Sequence, residues 1–415
     1  MKRVIVCFLS LALLALLLPI FASCGGKEEI TLYVYNWGEY ISDGSEGSLD
    51  SNAEFEKWYE QTYGVRVKVN YSTYSSNEDM YAKLSGGATK YDVVVPSDYM
   101  IARLIDEGLL RPLNYENIPL ANEIEYSVMF ADGIPSYDPE KAYSVPYTYG
   151  TVGIIYNTTM VDSADVDTWD LLWNEKYAGN ILQFNNSRDA FMTALCKLGY
   201  SINTESEAEW REALAELMAQ KPLVQSYVMD EIFNKMKSGS AAIAPYYAGD
   251  FFTMYADNSD LAFSYPRGEG ERTNVFVDAM CVPACSENAL VAERYINFML
   301  TKEIAIANAE YMCYASPNRQ VFLDADYQAT MQEIHPDAMK ILYGTDDVSL
   351  ELYENLPEDK LMLINDLWEE LKIESPINAS IFVIAGVILG GSLGLGIFFA
   401  VRSRRRKKML VGLWD

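Results

Sequence analysis

The sequence predicts an α/β protein of two lobes with a cleft between them, followed by one C-terminal transmembrane helix. Three observations carry that reading. Apolar strand-like runs alternate with stretches of helical spacing. The roughly 350 residues between the two apolar ends exceed one typical hydrophobic core. Finally, Ile377 to Val401 holds no charged residue.

The ends are read first. Lys2 and Arg3 precede an apolar run from Val4 to Leu18, and Phe21-Ala22-Ser23-Cys24-Gly25 follows. That order is the order of a secretory signal, residues 1–23, ending at a lipid-modified Cys24 with a 24–30 linker behind it. The run resembles a bacterial lipobox, with Phe21 where Leu is usual. As a helix, 377–401 would extend about 37 Å, enough to cross a hydrocarbon core of about 30 Å. Arg402, Arg404, Arg405, Arg406, Lys407 and Lys408 come next. The positive-inside rule therefore places the basic tail, 402–415, in the cytoplasm and the preceding domain on the periplasmic or extracellular side of the cell membrane. Gly386, Gly390 and Gly394 give one face of this span small residues for close helix packing. The Gly390-Gly391-Ser392-Leu393-Gly394 run lacks the strand-turn-helix setting of a nucleophile elbow.

Within the outer domain, Leu32–Tyr35 reads as a strand, Asn52–Tyr63 as a helix stopped by Gly64, and Val65–Val69 as an alternating strand. Glu78–Leu84 is a helix ending before Gly86-Gly87, Asp92–Pro96 a buried strand, and Met100–Glu107 a helix ending at Gly108. Such alternation implies a mostly parallel sheet, on which ligands gather beyond the carboxyl ends of the strands. The pattern restarts after Pro146. Strands are expected at Gly153–Tyr156, Ile181–Phe184, Ala241–Ala244, Leu261–Tyr265 and Asn274–Val282, and helices at Asp189–Leu198, Glu205–Gln220, Ala289–Met299 and Glu303–Tyr311.

Composition excludes several functions. The chain carries 32 Lys+Arg against 59 Asp+Glu, a net charge of −27. Lys2, Arg3 and the basic tail account for part of the positive charge, so the outer domain is more acidic still. Nucleic acid is thus an unsuitable partner, whereas small cations are attracted. His335 is the only histidine, and Cys196, Cys281, Cys285 and Cys313 lack paired C-x-x-C spacing. No metal site, cofactor or catalytic set is read, and the four cysteines are expected as buried small hydrophobes.

The run Tyr35-Asn36-Trp37-Gly38-Glu39-Tyr40 sets a carboxylate between aromatic rings at the end of an apolar strand. Ring faces attract ammonium groups at roughly 0.5 to 2 kcal/mol per contact, and a carboxylate adds a charge-assisted hydrogen bond. With YSTYSSNEDMYAKL at 71–84, YDVVVPSDY at 91–99, SVPYTYG at 144–150, ALCKLGY at 194–200 and ASPN at 315–318, it resembles the bacterial polyamine-binding proteins, the spermidine and putrescine receptors of ABC importers. The similarity spans nearly all of residues 30–372.

That resemblance implies a two-lobed periplasmic-binding-protein fold of the second type, with 31–148 and 278–324 forming one lobe and 149–277 and 325–372 the other. It implies Trp37, Gly38, Glu39, Tyr40, Ser97 and Tyr99 on one wall of the cleft and Asn186, Asp189, Tyr247 and Asp250 on the facing wall. Phe276, Asp278 and Tyr314 would lie near a returning crossing, and Glu354 matches a polar contact near the C-terminus. A polyamine is a methylene chain bearing ammonium groups, and four of these residues are carboxylates interleaved with rings. In some members tryptophans stand at the positions of Tyr247 and Phe276, and spermidine-preferring members carry an acidic pair at Asn186 and Asp189. Putrescine and spermidine both stay open as ligands. So do a membrane-tethered polyamine sensor and a receptor for another organic cation or small solute. Carboxylates beside rings also serve glycosidases, but the matched motifs belong to a non-catalytic family. The sequence holds no G-x-x-x-x-G-K-[ST] loop, so the permease and ATPase would be separate chains, with Cys24 lipid and the C-terminal helix holding this one to the membrane.

Overall fold

A computed structural model describes residues 29–373 apart from 88, 89, 131 and 346. The expected signal segment, Cys24, most of the linker, the 377–401 span and the 402–415 tail lie outside the described residues. Among the described residues no helix is long and apolar enough to cross a membrane. The chain divides near Lys360 into two units.

The first strand, β1 (Glu29–Trp37), pairs in parallel with β2 (Arg66–Tyr74), and α1 (Ser51–Tyr63) connects them. Asp50 starts α1 by accepting the Ala53 N–H, and Gly64 ends it at φ 70°, a conformation that costs glycine little. Next come α2 (Asn77–Ser85), the short central strand β3 (Val93–Val94), parallel to β1, and α3 (Asp98–Asp106). Leu32, Val93, Val94 and Phe55 are among the fully buried side chains of this part.

The long strand β4 (Ser144–Asn157) then changes partners along its length. From Ser144 to Thr151 it runs antiparallel to β9 (Thr273–Cys281), and from Val152 onward it pairs with β7 (Ile243–Tyr247) and β8 (Leu261–Ser264). The second group of strands is completed by β5 (Ile181–Phe184) and β6 (Val224–Val228), in the sheet order β2-β1-β3-β9-β4-β7-β5-β6. Helices α4 (Ser187–Lys197), α5 (Glu207–Gln220), α6 (Glu231–Lys237) and α7 (Ala248–Asp257) join them. After β9 the chain forms α8 (Ala289–Met299), α9 (Lys302–Met312), α10 (Arg319–Phe322), α11 (Ala325–Ile334) and α12 (Ala338–Tyr343). It then adds β10 (Leu350–Glu351), parallel to β9, and the last helix, α13 (Glu358–Ile373). Two strand groups flanked by helices, joined through β4 and β9, make two lobes.

The sequence places this strand only from Gly153, because Pro146 reads as a break and the run shows no alternation. In the fold nearly every residue of β4 is buried, so no polar face exists to produce alternation. The missing N–H of Pro146 falls where the β4–β9 register shifts, between Pro146 and Thr148. The helix α7 also goes unread, and Gly249 occupies its first turn.

Asp138 fixes the entry to β4. Its carboxylate accepts from the N–H groups of Ala142, Tyr143 and Ser144 and from the Ser144 hydroxyl, all at 2.7–3.0 Å. Asp138→Ala leaves three backbone donors, that of Ser144 fully buried and those of Ala142 and Tyr143 partly so, without their charged acceptor. It should lower unfolding free energy by at least about 3 kcal/mol in denaturant titration.

Candidate functional site

Five strands deliver site residues at their carboxyl ends. Trp37 closes β1 and Tyr40 follows it, Ser97 follows β3, Asn186 and Asp189 follow β5, Asp230 follows β6, and Tyr247 closes β7 with Asp250 behind it. Parallel strands of both lobes therefore aim their ends at one region, which the antiparallel strand β9 crosses with Phe276 and Asp278.

Asp278 is 4% exposed and both of its oxygens are engaged. Tyr40 donates to Oδ2 at 2.7 Å and Ser97 to Oδ1 at 2.6 Å. Ser97 stands at the N-cap of α3, yet its hydroxyl turns to Asp278 and makes no cap bond. Asn77 holds Ser97 in place, donating to its hydroxyl at 3.0 Å and accepting its N–H. Thr148, the cross-strand neighbour of Asp278, shares a 2.8 Å hydrogen bond with the Tyr40 hydroxyl.

A second carboxylate group is built on α4. Asn186 caps the helix by accepting the Asp189 N–H at 2.8 Å, and its amide donates to Asp189 Oδ2. Tyr247 donates to the same oxygen at 2.6 Å, while Tyr353 donates to Oδ1 at 3.0 Å. Arg188 lies over the Tyr353 ring at 4.4 Å, so that ring sits between a cation and a carboxylate.

A row of rings links the two groups. Tyr40 and Tyr314 centroids are 5.6 Å apart, Tyr314 and Phe276 6.1 Å, and Phe276 and Tyr247 5.5 Å. Cys313 ends α9 at φ 58°, turning the chain so that Ala315 bridges to Tyr149 of β4 and Tyr314 joins the row. Two glycines make room. A Cβ on Gly150 would stand 2.6 Å from the Phe276 ring, and one on Gly249 2.5 Å from the Tyr314 ring.

Burial dominates the electrostatics. It raises Asp278 to about 6, with the bonds from Ser97 and Tyr40 pulling the other way. It raises Asp250 to about 7 against a hydrogen bond from Tyr314, and the charge of Asp230 raises it further. Asp98, 1% exposed, rises to about 8 from burial, although it accepts the Tyr99 and Val277 N–H groups.

The remaining expected residues make contacts of their own outside this row. Trp37 donates its indole N–H to the Val95 carbonyl and packs on Tyr74. Gly38 and Glu39 are exposed. Glu39, at φ 53°, accepts from Tyr311. Tyr99 receives a bond from Asn77 and donates to Glu78. Glu354 is exposed, with its N–H on Asn203. Thr148, Tyr353, Arg188, Asn77 and Asp98 were not read from the sequence. Thr148 and Asp98 lie inside quoted motifs, SVPYTYG and YDVVVPSDY. Tyr353 and Arg188 carried no signal beyond standing next to Glu354 and Asp189.

The family described as bacterial extracellular solute-binding protein matches residues 53–333. The spermidine/putrescine-binding periplasmic protein of Salmonella typhimurium is 30% identical over 346 residues, covering 82% of this chain and 91% of that one. A solved structure titled a putative spermidine/putrescine ABC transporter, from Listeria monocytogenes, is 33% identical with a TM-score of 0.69, covering 82% of this chain and 98% of its own. A spermidine/putrescine ABC transporter substrate-binding protein from Streptococcus pneumoniae is 32% identical with a TM-score of 0.67, covering 83% and 99%. The fold is thus the two-lobed α/β fold of the periplasmic-binding-protein kind.

Asp98, Asp250 and Asp278 hold protons more tightly in the fold than an ordinary carboxyl does at about 3.9. Between that value and about 8 these three groups bind more protons in the folded chain than in the unfolded one, so their contribution to stability falls as pH rises through the window. Thermal unfolding of the full-length chain from pH 5 to 8 should show the decline. Asp278→Asn, which cannot ionise, should flatten part of it; an unchanged slope in that variant would contradict the assignment.

Proposed function

The chain belongs to the bacterial extracellular solute-binding proteins, and within that family we propose that it captures polyamines, putrescine or spermidine, and delivers them to the permease of an ABC importer. The family is one of binding proteins and not of enzymes.

The observation that carries the polyamine reading is the row Tyr40, Tyr314, Phe276 and Tyr247, with Asp278 near one end, Asp250 against Tyr314 and Asp189 on Tyr247. A flexible chain of methylenes with ammonium groups has the matching chemistry: carboxylates hold the charges and rings cover the carbons. Ser97, Asn186 and Tyr99 position this set, and Trp37, Gly38, Glu39 and Glu354 flank it. Hydrogen bonds to charged groups contribute about 1.5 to 3 kcal/mol each. Three of them with stacking offset association costs and leave micromolar binding, near −8 kcal/mol. The ligand's positive charge also favours ionised Asp250 and Asp278, which burial alone disfavours.

The partner switch of β4 at Thr151 and Val152 supports dividing 31–148 with 278–324 from 149–277 with 325–372. Residues 1–23 are read as an export signal, Cys24 as its lipidated end, 377–401 as a membrane span and 402–415 as a cytoplasmic tail, all from sequence pattern. Such a tether raises effective concentration at a separate permease and ATPase to roughly millimolar.

Two measurements test this. Calorimetric titration of the full-length chain should give saturable putrescine or spermidine binding, none with a neutral sugar, and at least about a tenfold loss in Asp278→Ala. Binding of the sugar and not the amines would reject the substrate class. A chain ending at Ser375 should import polyamine less well than the full chain at equal surface abundance, and equal uptake would remove the tether.

A further inference from the structure

Beyond the site described above, α3 also borders a cavity of about 480 Å³. Ile105 and Asp106 of α3 form one wall, Tyr137 and Glu140 ahead of β4 a second, and Tyr353 and Glu354 after β10 a third. Tyr353 borders both spaces, because its hydroxyl reaches Asp189 while the residue lines the cavity. From Asp98 to Asp106 is about 12 Å along the helix axis, farther than a four-carbon diamine reaches and within the span of a tetraamine.

Tyr137 points to a ligand. It is 6% exposed, lines the cavity, and its hydroxyl has no hydrogen-bond partner among the described residues. A buried hydroxyl without a partner costs about 1 to 3 kcal/mol and is uncommon. It lies close enough to Asp98 for that charge to be felt after the larger effect of burial. The exposed carboxylates on the walls are Asp106, Glu140 and Glu354. Asp138 also borders the space but is consumed by the backbone ahead of β4. Among the described residues no three acidic, histidine or cysteine groups are arranged to hold a metal ion. Separated charges beside tyrosine rings, Ala102, Ile105 and Pro139 suit an extended organic cation instead.

We propose that this cavity is a second cation subsite, taking the distal ammonium and methylene arm of a tri- or tetraamine whose other end lies among Asp278, Asp250 and Asp189. This rests on the polyamine reading of the cleft. Tyr137 accepts a hydrogen bond from the ammonium group, Glu140 and Asp106 supply the countercharge, and Ile105 and Tyr353 cover the methylenes. A diamine engages the cleft alone.

Calorimetric titration of the full-length chain with putrescine and with spermine tests the subsite. The double variant Asp106→Asn/Glu140→Gln should bind spermine about tenfold more weakly with putrescine affinity held within about twofold. Tyr137→Phe changes no charge and should weaken spermine alone, by about threefold or more. Loss of spermine affinity in the double variant but not in Tyr137→Phe would mean a long-range field effect and overturn the subsite. So would equal losses for both amines, or no loss for spermine. If the unaltered chain binds neither amine, the polyamine reading falls and the subsite with it; if it binds both and the variants change nothing, only the subsite falls.

Discussion

Between Ser144 and Thr151, β4 hydrogen-bonds to β9, and that one antiparallel pairing positions most of what the site needs. It sets Thr148 across from Asp278 and Gly150 across from Phe276, so a carboxylate and a ring face the cleft two residues apart on one strand. Because β4 then leaves β9 for β7 and β8, the same strand that holds Asp278 ties the second lobe to the first. Displacing this register by one residue would turn Asp278 and Phe276 to the opposite face together. Asp138 at the start of β4 and the irregularity after Pro146 are the local devices that fix it.

Two opposing effects meet at the buried carboxyls, and their sizes can be compared within the molecule. Asp278 accepts from two hydroxyls and Asp98 from two backbone N–H groups, yet Asp98 rises to about 8 and Asp278 only to about 6. Burial is the first cause at both. Asp98 also has the charge of Asp278 beside it, only partly countered by Arg188. Hydrogen bonds thus moderate the desolvation of these groups without cancelling it, which leaves an acidic interior that an incoming cation relieves.

Much of the alternation of the first lobe was legible because elements such as β2 and α1 keep one wet face. In the second lobe β5 was read with its bounds as they stand, whereas β4, buried on both sides, gives no period and was placed only from Gly153. Of the site, Asp278, Tyr40 and Ser97 were named from motifs, but their mutual bonds join residues 40, 97 and 278, a closure no local pattern encodes. Tyr353 and Arg188 stayed hidden for the same reason. Their roles come from packing across elements: ring against guanidinium, and hydroxyl against a carboxylate 164 positions away. Glu39 shows the converse. The motif marks it, whereas here its carboxylate meets Tyr311 at the exposed end of α9.

The chain has a single histidine, and burial holds His335 below its usual value. Near neutral pH, therefore, the side chains that exchange protons with solvent are the carboxyls around the rings. Occupation of the cleft by a cation then expels hydrogen ions, and the heat recorded in a titration depends on the ionisation enthalpy of the buffer. Loading and unloading become coupled to the acidity of the medium the cleft faces, through aspartates set where other proteins place an imidazole.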